Sequence, residues 1–153
     1  MATPNVANIY LGGPDQTTTG AIFTAATNAT MPTDATTALP VAFTSSGFVS
    51  ESGVSIAWDR TVTKLQDWAK KTRRTIVSET SAEISWEMLE ISEGAAKQAF
   101  GNSAVTTTAA TSSHGKQLKI AIDGALPEAK AWVFNVKDGT RRIRLLAPNA
   151  QVT

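Results

Sequence analysis

The segment from Trp58 to Ile91 constrains the fold more than any other part of this chain of 153 residues. It holds three of the four tryptophans, Trp58, Trp68 and Trp86. Long polar tracts rich in Thr, Ala and Ser flank it, and nothing in it resembles a catalytic centre. We therefore expect a sheet protein whose copies lie beside one another. The segment carries a basic cluster and then an acidic one: Lys70, Lys71, Arg73 and Arg74, followed by Glu79, Glu83, Glu87 and Glu90.

Apolar and polar residues alternate along several stretches, which is typical of half-buried strands. In the first, Val54, Ile56 and Trp58 share one face of a predicted strand. Asp138 and Gly139 predict a tight hairpin near the end of the chain, because Asp-Gly supplies the positive φ angles of such a turn. The other predicted strands are Thr75 to Glu79 and Glu83 to Ile91 around Thr80 to Ala82, then Leu118 to Ile122, Trp132 to Val136, and Arg142 to Leu145 with its end at Pro148.

The stretch from Thr61 to Lys71 fits two patterns. Val62, Leu65 and Trp68 have the spacing of a helical stripe, whereas the β-branched residues Thr61 to Thr63 favour a strand. Pattern alone slightly favours a helix here.

One helix is predicted more firmly, at about residues 93–100. The Ser92 hydroxyl can accept a hydrogen bond from a free N–H group of the first turn, and Glu93 suits the helix dipole there. Gly101 predicts the end of the helix. The helix is short, so packing of its alanines must stabilise it.

The sequence predicts an N-terminal arm followed by one domain. Residues 1–46 show little periodicity and are expected to form an extended arm and loops, with one short strand at Ala21 to Thr24. They fit either a disordered leader or an arm that becomes ordered on a neighbouring subunit, which would use Ile9, Tyr10, Leu11, Ile22 and Phe23. Residues 47–153 are predicted to form a mainly β domain, with a flexible loop at 102–115. Strands on both sides of one helix indicate two packed antiparallel sheets, a β-sandwich or partial barrel, with one short flanking helix.

Composition excludes several kinds of site. The chain has no cysteine, which excludes disulfides and cysteine-based metal centres. The formal net charge is +1, whereas proteins that bind phosphate groups along a nucleic acid usually carry a strong excess of basic residues. The N-terminus lacks the features of a signal peptide, and no stretch approaches the ~20 apolar residues of a membrane span. We therefore expect folding in a cytoplasm and no membrane partner.

Candidate catalytic residues are few. His114 is the only histidine and lies in a Ser- and Gly-rich stretch, so a loop residue is favoured over a member of a catalytic triad or metal site. Ser113 and Lys116 match S-x-x-K, a weak pattern without its companion motifs. Three roles are open for Glu79, Glu83, Glu87 and Glu90. Two of them could be the carboxylate pair of a glycoside hydrolase. Alternatively, the four could form a solvated face of a sheet, or an acidic surface that is repeated around a ring. The basic cluster could contact phosphate, form a solvated turn, or pair with acids on a neighbour. We predict no catalytic, cofactor or metal site.

Five ordered stretches carry a resemblance to a known family: Phe48 to Ile56, Leu65 to Trp68, Arg74 to Glu90, Ala95 to Gly101, and Val133 to Val152. In this order they resemble the major tail protein, or tail tube protein, of long non-contractile-tailed (siphovirus-type) bacteriophages, particularly those of actinobacterial hosts. The resemblance covers residues 45–153.

The resemblance implies two antiparallel sheets packed across each other, with Leu65 to Trp68 in a strand. It implies hexameric rings whose inner strands join into one barrel, and rings stacked into a tube through which DNA leaves the capsid. Its implied partners are the tape measure, tail tip and tail terminator proteins, together with transient contact to passing double-stranded DNA. It implies no enzymatic activity, no cofactor, and assembly in the host cytoplasm. Members of the family commonly continue into at least one more strand after the stretch that ends at Thr153, which leaves two interpretations: a naturally short member or an incomplete chain.

Within this picture we expect Glu79, Glu83 and Glu87 to face the channel. Carboxylates there would repel phosphate within a Debye length of about 8 Å. We expect Lys70, Lys71, Arg73 and Arg74 at inter-subunit contacts. Two other functions stay open: another tube or terminator component of a phage tail or contractile injection system, and a monomeric β-sandwich binding module.

Overall fold

A computed structural model of the chain describes residues 13–14 and 21–153. Ile9, Tyr10 and Leu11 of the predicted arm lie outside the described residues. Within them the chain forms nine strands and one helix: β1 (Gly13–Pro14), β2 (Ile22–Ala26), β3 (Thr44–Ser45), β4 (Val49–Gln66), β5 (Thr72–Met88), α1 (Glu93–Phe100), β6 (Val105–Thr108), β7 (Gln117–Ile120), β8 (Lys130–Asp138) and β9 (Arg141–Ala150). The fold is mainly β with antiparallel sheets and one short helix, as predicted, and fits a β-sandwich.

The chain divides into two compact units. The first combines the described residues up to Glu51 with Met88–Thr153, and the second is Ser52–Glu87. The second unit consists of most of β4 and β5 and the turn that joins them.

Strand β8 is the centre of the five-stranded sheet in the first unit. It pairs with β9 along one side and with β2 and β1 along the other, and β3 extends the sheet from β2. All of these pairings are antiparallel, with Phe23 of β2 opposite Val133 of β8. The short strand expected at Ala21 to Thr24 is therefore a member of the main sheet of the first unit.

Four consecutive residues of β8, Ala131 to Phe134, are buried, so both faces of this strand are covered. The sequence predicts one apolar face with Trp132, Phe134 and Val136, and the structure also buries Ala131 and Val133 on the other face. A strand covered on both faces has a continuous apolar run. Phe23 and Phe43 pack in a cluster with Ala131 and Val133, and Ile22 is fully buried.

The predicted hairpin near the end of the chain is confirmed. Asp138 lies opposite Arg141, and Gly139 has a φ of 58°. Pro148 does not end the following strand, contrary to the prediction, because β9 continues to Ala150. The register shifts between Lys130 and Trp132 of β8, and a bulge of this kind is where a strand tolerates proline.

Helix α1 begins and ends where the sequence predicts. The Ser92 hydroxyl accepts a hydrogen bond from the backbone N–H of Ala95 at 3.2 Å. Gly101 follows the helix with φ 91° and ψ 156°, a backbone region essentially restricted to glycine. Ala95 and Ala96 are buried and hold the helix in the first unit.

Three local predictions are wrong. The predicted loop at 102–115 contains β6, which pairs with β7 and buries Val105. The slight preference of the pattern for a helix at Thr61 to Lys71 is wrong, because residues 61–66 continue β4 and β-branched Thr61 to Thr63 outweigh the helical spacing. The strand that the resemblance implies at Leu65 to Trp68 is present for Leu65 and Gln66, and Trp68 lies in the turn. The break expected at Thr80 to Ala82 is absent because β5 runs through it, and that tripeptide holds no glycine, proline or asparagine to end a strand.

Candidate assembly surface

Strands β4 and β5 form a sheet of two strands, the β4–β5 hairpin. At its turn the backbone N–H of Asp67 donates to the carbonyl of Lys71 at 3.0 Å, and at its base that of Leu89 donates to Phe48 at 2.9 Å. The strands contain 18 and 17 residues. At ~3.3 Å per residue, each spans roughly 55–60 Å.

Asp67 organises the turn of the hairpin. Its carboxylate accepts hydrogen bonds from the backbone N–H of Lys71 at 2.9 Å and from Nε of Arg73 at 2.7 Å. The Lys71 N–H group, and after it Arg73, holds the pKa of Asp67 below its ordinary value. Lys70 closes the turn with a φ of 58°, which places a non-glycine residue in the left-handed region.

Sequence reasoning missed Asp67 as a structural centre. The signal for it was present, because Asp at the first position of a turn can accept hydrogen bonds from N–H groups later in that turn. Arg73 was predicted at an inter-subunit contact, and the structure shows that it already pairs with Asp67 of its own subunit.

One face of the hairpin is apolar and open to solvent in the isolated subunit. Ile56, Trp58 and Val62 of β4 are 52%, 63% and 47% exposed. They share a face because side chains two residues apart lie on the same side of a strand. Ile76 of β5 is also exposed at 39%. Arg60 lies on the same face between Trp58 and Val62. Exposed apolar side chains gathered on one face and bordered by charges mark a site of protein contact.

The predicted channel residues share one face of β5. Glu79, Glu83 and Glu87 are all exposed and lie at intervals of four residues in an unbroken strand. Successive carboxylates therefore recur about every 13 Å along the hairpin. Within the described residues, no ion pair involves these three glutamates. The structure gathers the predicted contact residues Lys70, Lys71, Arg73 and Arg74 at the opposite end, around the turn.

Glu90 does not belong to this acidic face. It follows β5 and is half-buried, and its side chain packs against Gly47. A Cβ atom at Gly47 would come within 2.6 Å of the Glu90 carboxyl carbon.

His114 lies in an exposed turn at residues 111–114, as expected for a loop residue. The carbonyl of His114 accepts from the backbone N–H of Thr111 at 2.8 Å. In the part of the chain that the structure describes, no group of three His, Cys, Asp or Glu side chains could hold a metal ion. In the same part of the chain, no helix is long and apolar enough to cross a membrane.

Comparison with known families identifies the family of the chain. Residues 16–153 match the model of a family described as phage tail tube protein. The chain belongs to the phage tail tube protein family. Searches among curated proteins and among solved structures gave no match.

A tail tube protein is a structural component of the phage virion, and its family is non-enzymatic. It forms a tube together with other tail proteins. The tail tube resemblance seen in the sequence is thus confirmed at the level of the family.

Proposed function

We propose that copies of this tail tube protein join through their β4–β5 hairpins into hexameric rings, and that the rings stack into the conduit for DNA ejection. The tail would be the long, non-contractile type, of a phage with an actinobacterial host; the order of the five stretches quoted above supports this. Subunits would assemble in the host cytoplasm with the tape measure, tail tip and tail terminator proteins.

The open edges of the hairpin carry the proposal. Within the described residues, β4 and β5 pair only with each other, so each strand keeps one unpaired edge. A sheet of two strands is marginal in water unless further strands or a packed face support it. This hairpin is long and exposes its apolar face, so neighbouring copies are a natural source of that support.

Ring closure satisfies both edges at once. If the outer edge of β4 in one copy pairs with the outer edge of β5 in the next, every copy uses two different surfaces. Such heterologous contacts generate a closed ring when the rotation between copies divides a full turn. A closed barrel leaves no edge to template uncontrolled aggregation.

The acidic face of β5 is an argument for a channel that carries DNA. Glu79, Glu83 and Glu87 share one side of β5, so a ring of hairpins would repeat bands of carboxylates around its channel. Negative charge within about 8 Å of passing phosphates discourages lasting contact. DNA would then touch the wall only transiently and without sequence preference.

The edge pairing can be tested with a single proline. At the two ends of the hairpin, Lys71 accepts a hydrogen bond from Asp67 and Leu89 donates one to Phe48. Odd-numbered residues on the β5 side therefore bond across the hairpin, and in an antiparallel ladder the even-numbered residues of β5 point their N–H groups outward. Thr80→Pro therefore removes an outward donor of β5 but no hydrogen bond within the hairpin. We expect folded subunits that form no tubes by electron microscopy.

The matched control is Thr80→Val, which keeps the N–H group and should form tubes. Normal tubes from the proline variant would exclude pairing through this edge. Dispersed wild-type monomers, even in the presence of the tail tip that nucleates assembly, would overturn the proposed function as a whole.

The channel role needs a separate experiment. A phage that carries Glu83→Lys should build tails of normal length but eject its DNA more slowly, because lysines in the channel attract phosphate. Glu83→Gln is the control and should show a smaller delay. Ejection at the wild-type rate from intact Glu83→Lys tails would place Glu83 outside the channel.

A further inference from the structure

The charges of the β4–β5 hairpin divide sharply along its length. The half nearest the turn, residues 60–74, holds six basic residues and one acidic residue, a net charge of +5. The half nearest the base, residues 52–59 and 75–87, holds four acidic residues and no basic one, a net charge of −4. The basic residues are Arg60, Lys64, Lys70, Lys71, Arg73 and Arg74; the acidic residues of the base half are Asp59, Glu79, Glu83 and Glu87.

Within one subunit this division is unfavourable. Counting along the ladder from the hydrogen bond between Asp67 and Lys71 brings Lys64 opposite Arg74, close to the turn. Like charges directly opposite each other destabilise a pair of strands. Asp67 takes up Arg73 at the turn, but no described ion pair relieves Lys64 or Arg74.

We infer that the basic half of one hairpin meets the acidic half of a hairpin from a second copy in the next ring, with both hairpins pointing the same way and one following the other along the tube, so that the edge pairing within each ring is kept. This inference rests on the proposed tube and adds the polarity with which successive rings engage.

A second copy fits this surface better than a nucleic acid does. The opposite halves nearly balance, so two successive hairpins neutralise each other, whereas a DNA duplex would gain from one half and be repelled by the other. The exposed apolar face beside the charges gives the same partner surface to bury. Two antiparallel hairpins would also pair opposite charges, but they would close a dimer and stop growth.

Two matched triple variants test the inference. The turn variant is Lys70→Asp with Lys71→Glu and Arg74→Glu, which changes the basic half from +5 to −1. Arg73 is kept because it holds Asp67. The base variant is Glu79→Lys with Glu83→Lys and Glu87→Lys, which changes the acidic half from −4 to +2.

Each variant alone should stay unassembled, because its two halves repel those of identical copies. An equimolar mixture of the two should form tubes, because the basic half of one meets the acidic half of the other. Assembly of the wild type should slow at least tenfold in 1 M salt, where the Debye length is about 3 Å. Lys119→Glu changes an exposed charge of the first unit and is the control that should assemble normally.

Several results would overturn the inference while leaving the tube intact. Wild-type assembly rates for either triple variant would do so, as would folded variants whose mixture forms no tubes. A mixture that yields only dimers by light scattering would favour the antiparallel pair. Tight binding of a short DNA duplex to the wild type, lost in the turn variant whose tubes still form, would assign the basic half to DNA. If a triple variant fails to fold, the double variant with Lys71→Gln and Arg74→Gln replaces it. Its assembly should depend less on salt concentration than that of the wild type, and an unchanged salt dependence of assembly would contradict the contact.

Discussion

Arg144 donates from Nη1 to the backbone carbonyl of Asp34 at 2.7 Å, although 110 positions separate the two residues. The same nitrogen donates to the carbonyl of Thr37 at 2.9 Å, and Nε of Arg144 donates to the side chain of Asn135 at 2.7 Å. One guanidinium on β9 therefore holds the loop between β2 and β3 and contacts β8, which lies beside it in the sheet. The planar fork of arginine suits such a contact better than the single ammonium of lysine.

Removal of this guanidinium should loosen the loop. Because Arg144→Ala loses charged hydrogen bonds to two carbonyls and one amide, we expect the free energy of unfolding to fall by about 1–2 kcal/mol. Urea denaturation followed by circular dichroism measures this change. Lys119→Ala, an exposed change on β7, should stay within about 0.5 kcal/mol of wild type. An equal loss in both variants would contradict a specific role of Arg144.

The same loop should respond to acid through Asp34. The Asp34 carboxylate accepts hydrogen bonds from the backbone N–H groups and the hydroxyls of Thr36 and Thr37. The Thr37 hydroxyl, followed by its N–H, lowers the pKa of Asp34 well below the ordinary value of 3.8. A lowered folded pKa gives a contribution to stability that is complete above the unfolded pKa and is lost as pH falls through the folded value.

Asp34→Asn should therefore be less stable than wild type at pH 7 and pH 5. The difference should shrink as pH drops below 3.8 and become small at the lowest pH at which the protein stays folded. Denaturation midpoints of both proteins at a series of pH values measure this. A difference that stays constant from pH 7 to pH 2 would show that the carboxylate charge plays no part.

Features set by a few neighbouring residues could be predicted from the sequence. Ser92 caps its helix, Gly101 ends it, and Gly139 forms its hairpin turn, because each depends on hydrogen bonds or backbone angles within about four residues. The mainly β class followed from alternation summed over several strands.

Features set by distant neighbours could not be predicted. The apolar run from Ala131 to Phe134 was a local signal for burial of both faces, but which strands and side chains cover those faces depends on other parts of the chain. Residues 61–66 have helical spacing, yet they extend a strand whose apolar side finds no partner within its own unit. The placement of the glutamates and of the basic cluster at opposite ends of one hairpin required the unbroken course of β5 through Thr80.

A second carboxylate joins a helix to a loop. Glu93 in the first turn of α1 pairs with Lys97 at 2.8 Å and with Lys116, before β7, at 2.7 Å. These two lysines, Lys116 foremost, lower the pKa of Glu93 from 4.5 to about 2. The pairing should therefore survive mild acid and weaken only as pH falls from 4.5 through 2.

Glu93→Gln should release the loop that precedes β7. We expect faster amide hydrogen exchange at residues 109–116 and little change in β8, because the core of the first unit does not depend on this pair. Glu87→Gln on the hairpin is the control and should leave that loop unchanged. Exchange rates equal to wild type throughout residues 109–116 would show that the ion pair does not restrain the loop.

Substitution of Lys70 by glycine should change the stability of the subunit and the rate of tube assembly in opposite directions. Its φ of 58° is in the left-handed region, which disfavours any residue with a Cβ atom by roughly 1–2 kcal/mol relative to glycine. Lys70→Gly relieves this strain and should raise the stability of the hairpin by about 1 kcal/mol.

It also removes one positive charge from the half of the hairpin that we infer to meet a second copy. Subunits should therefore unfold at higher denaturant concentration while tubes form more slowly, as measured by light scattering. Lys70→Asn tolerates the same backbone angle without the charge and should slow assembly to a similar extent. Assembly of both variants at the wild-type rate would remove Lys70 from the contact.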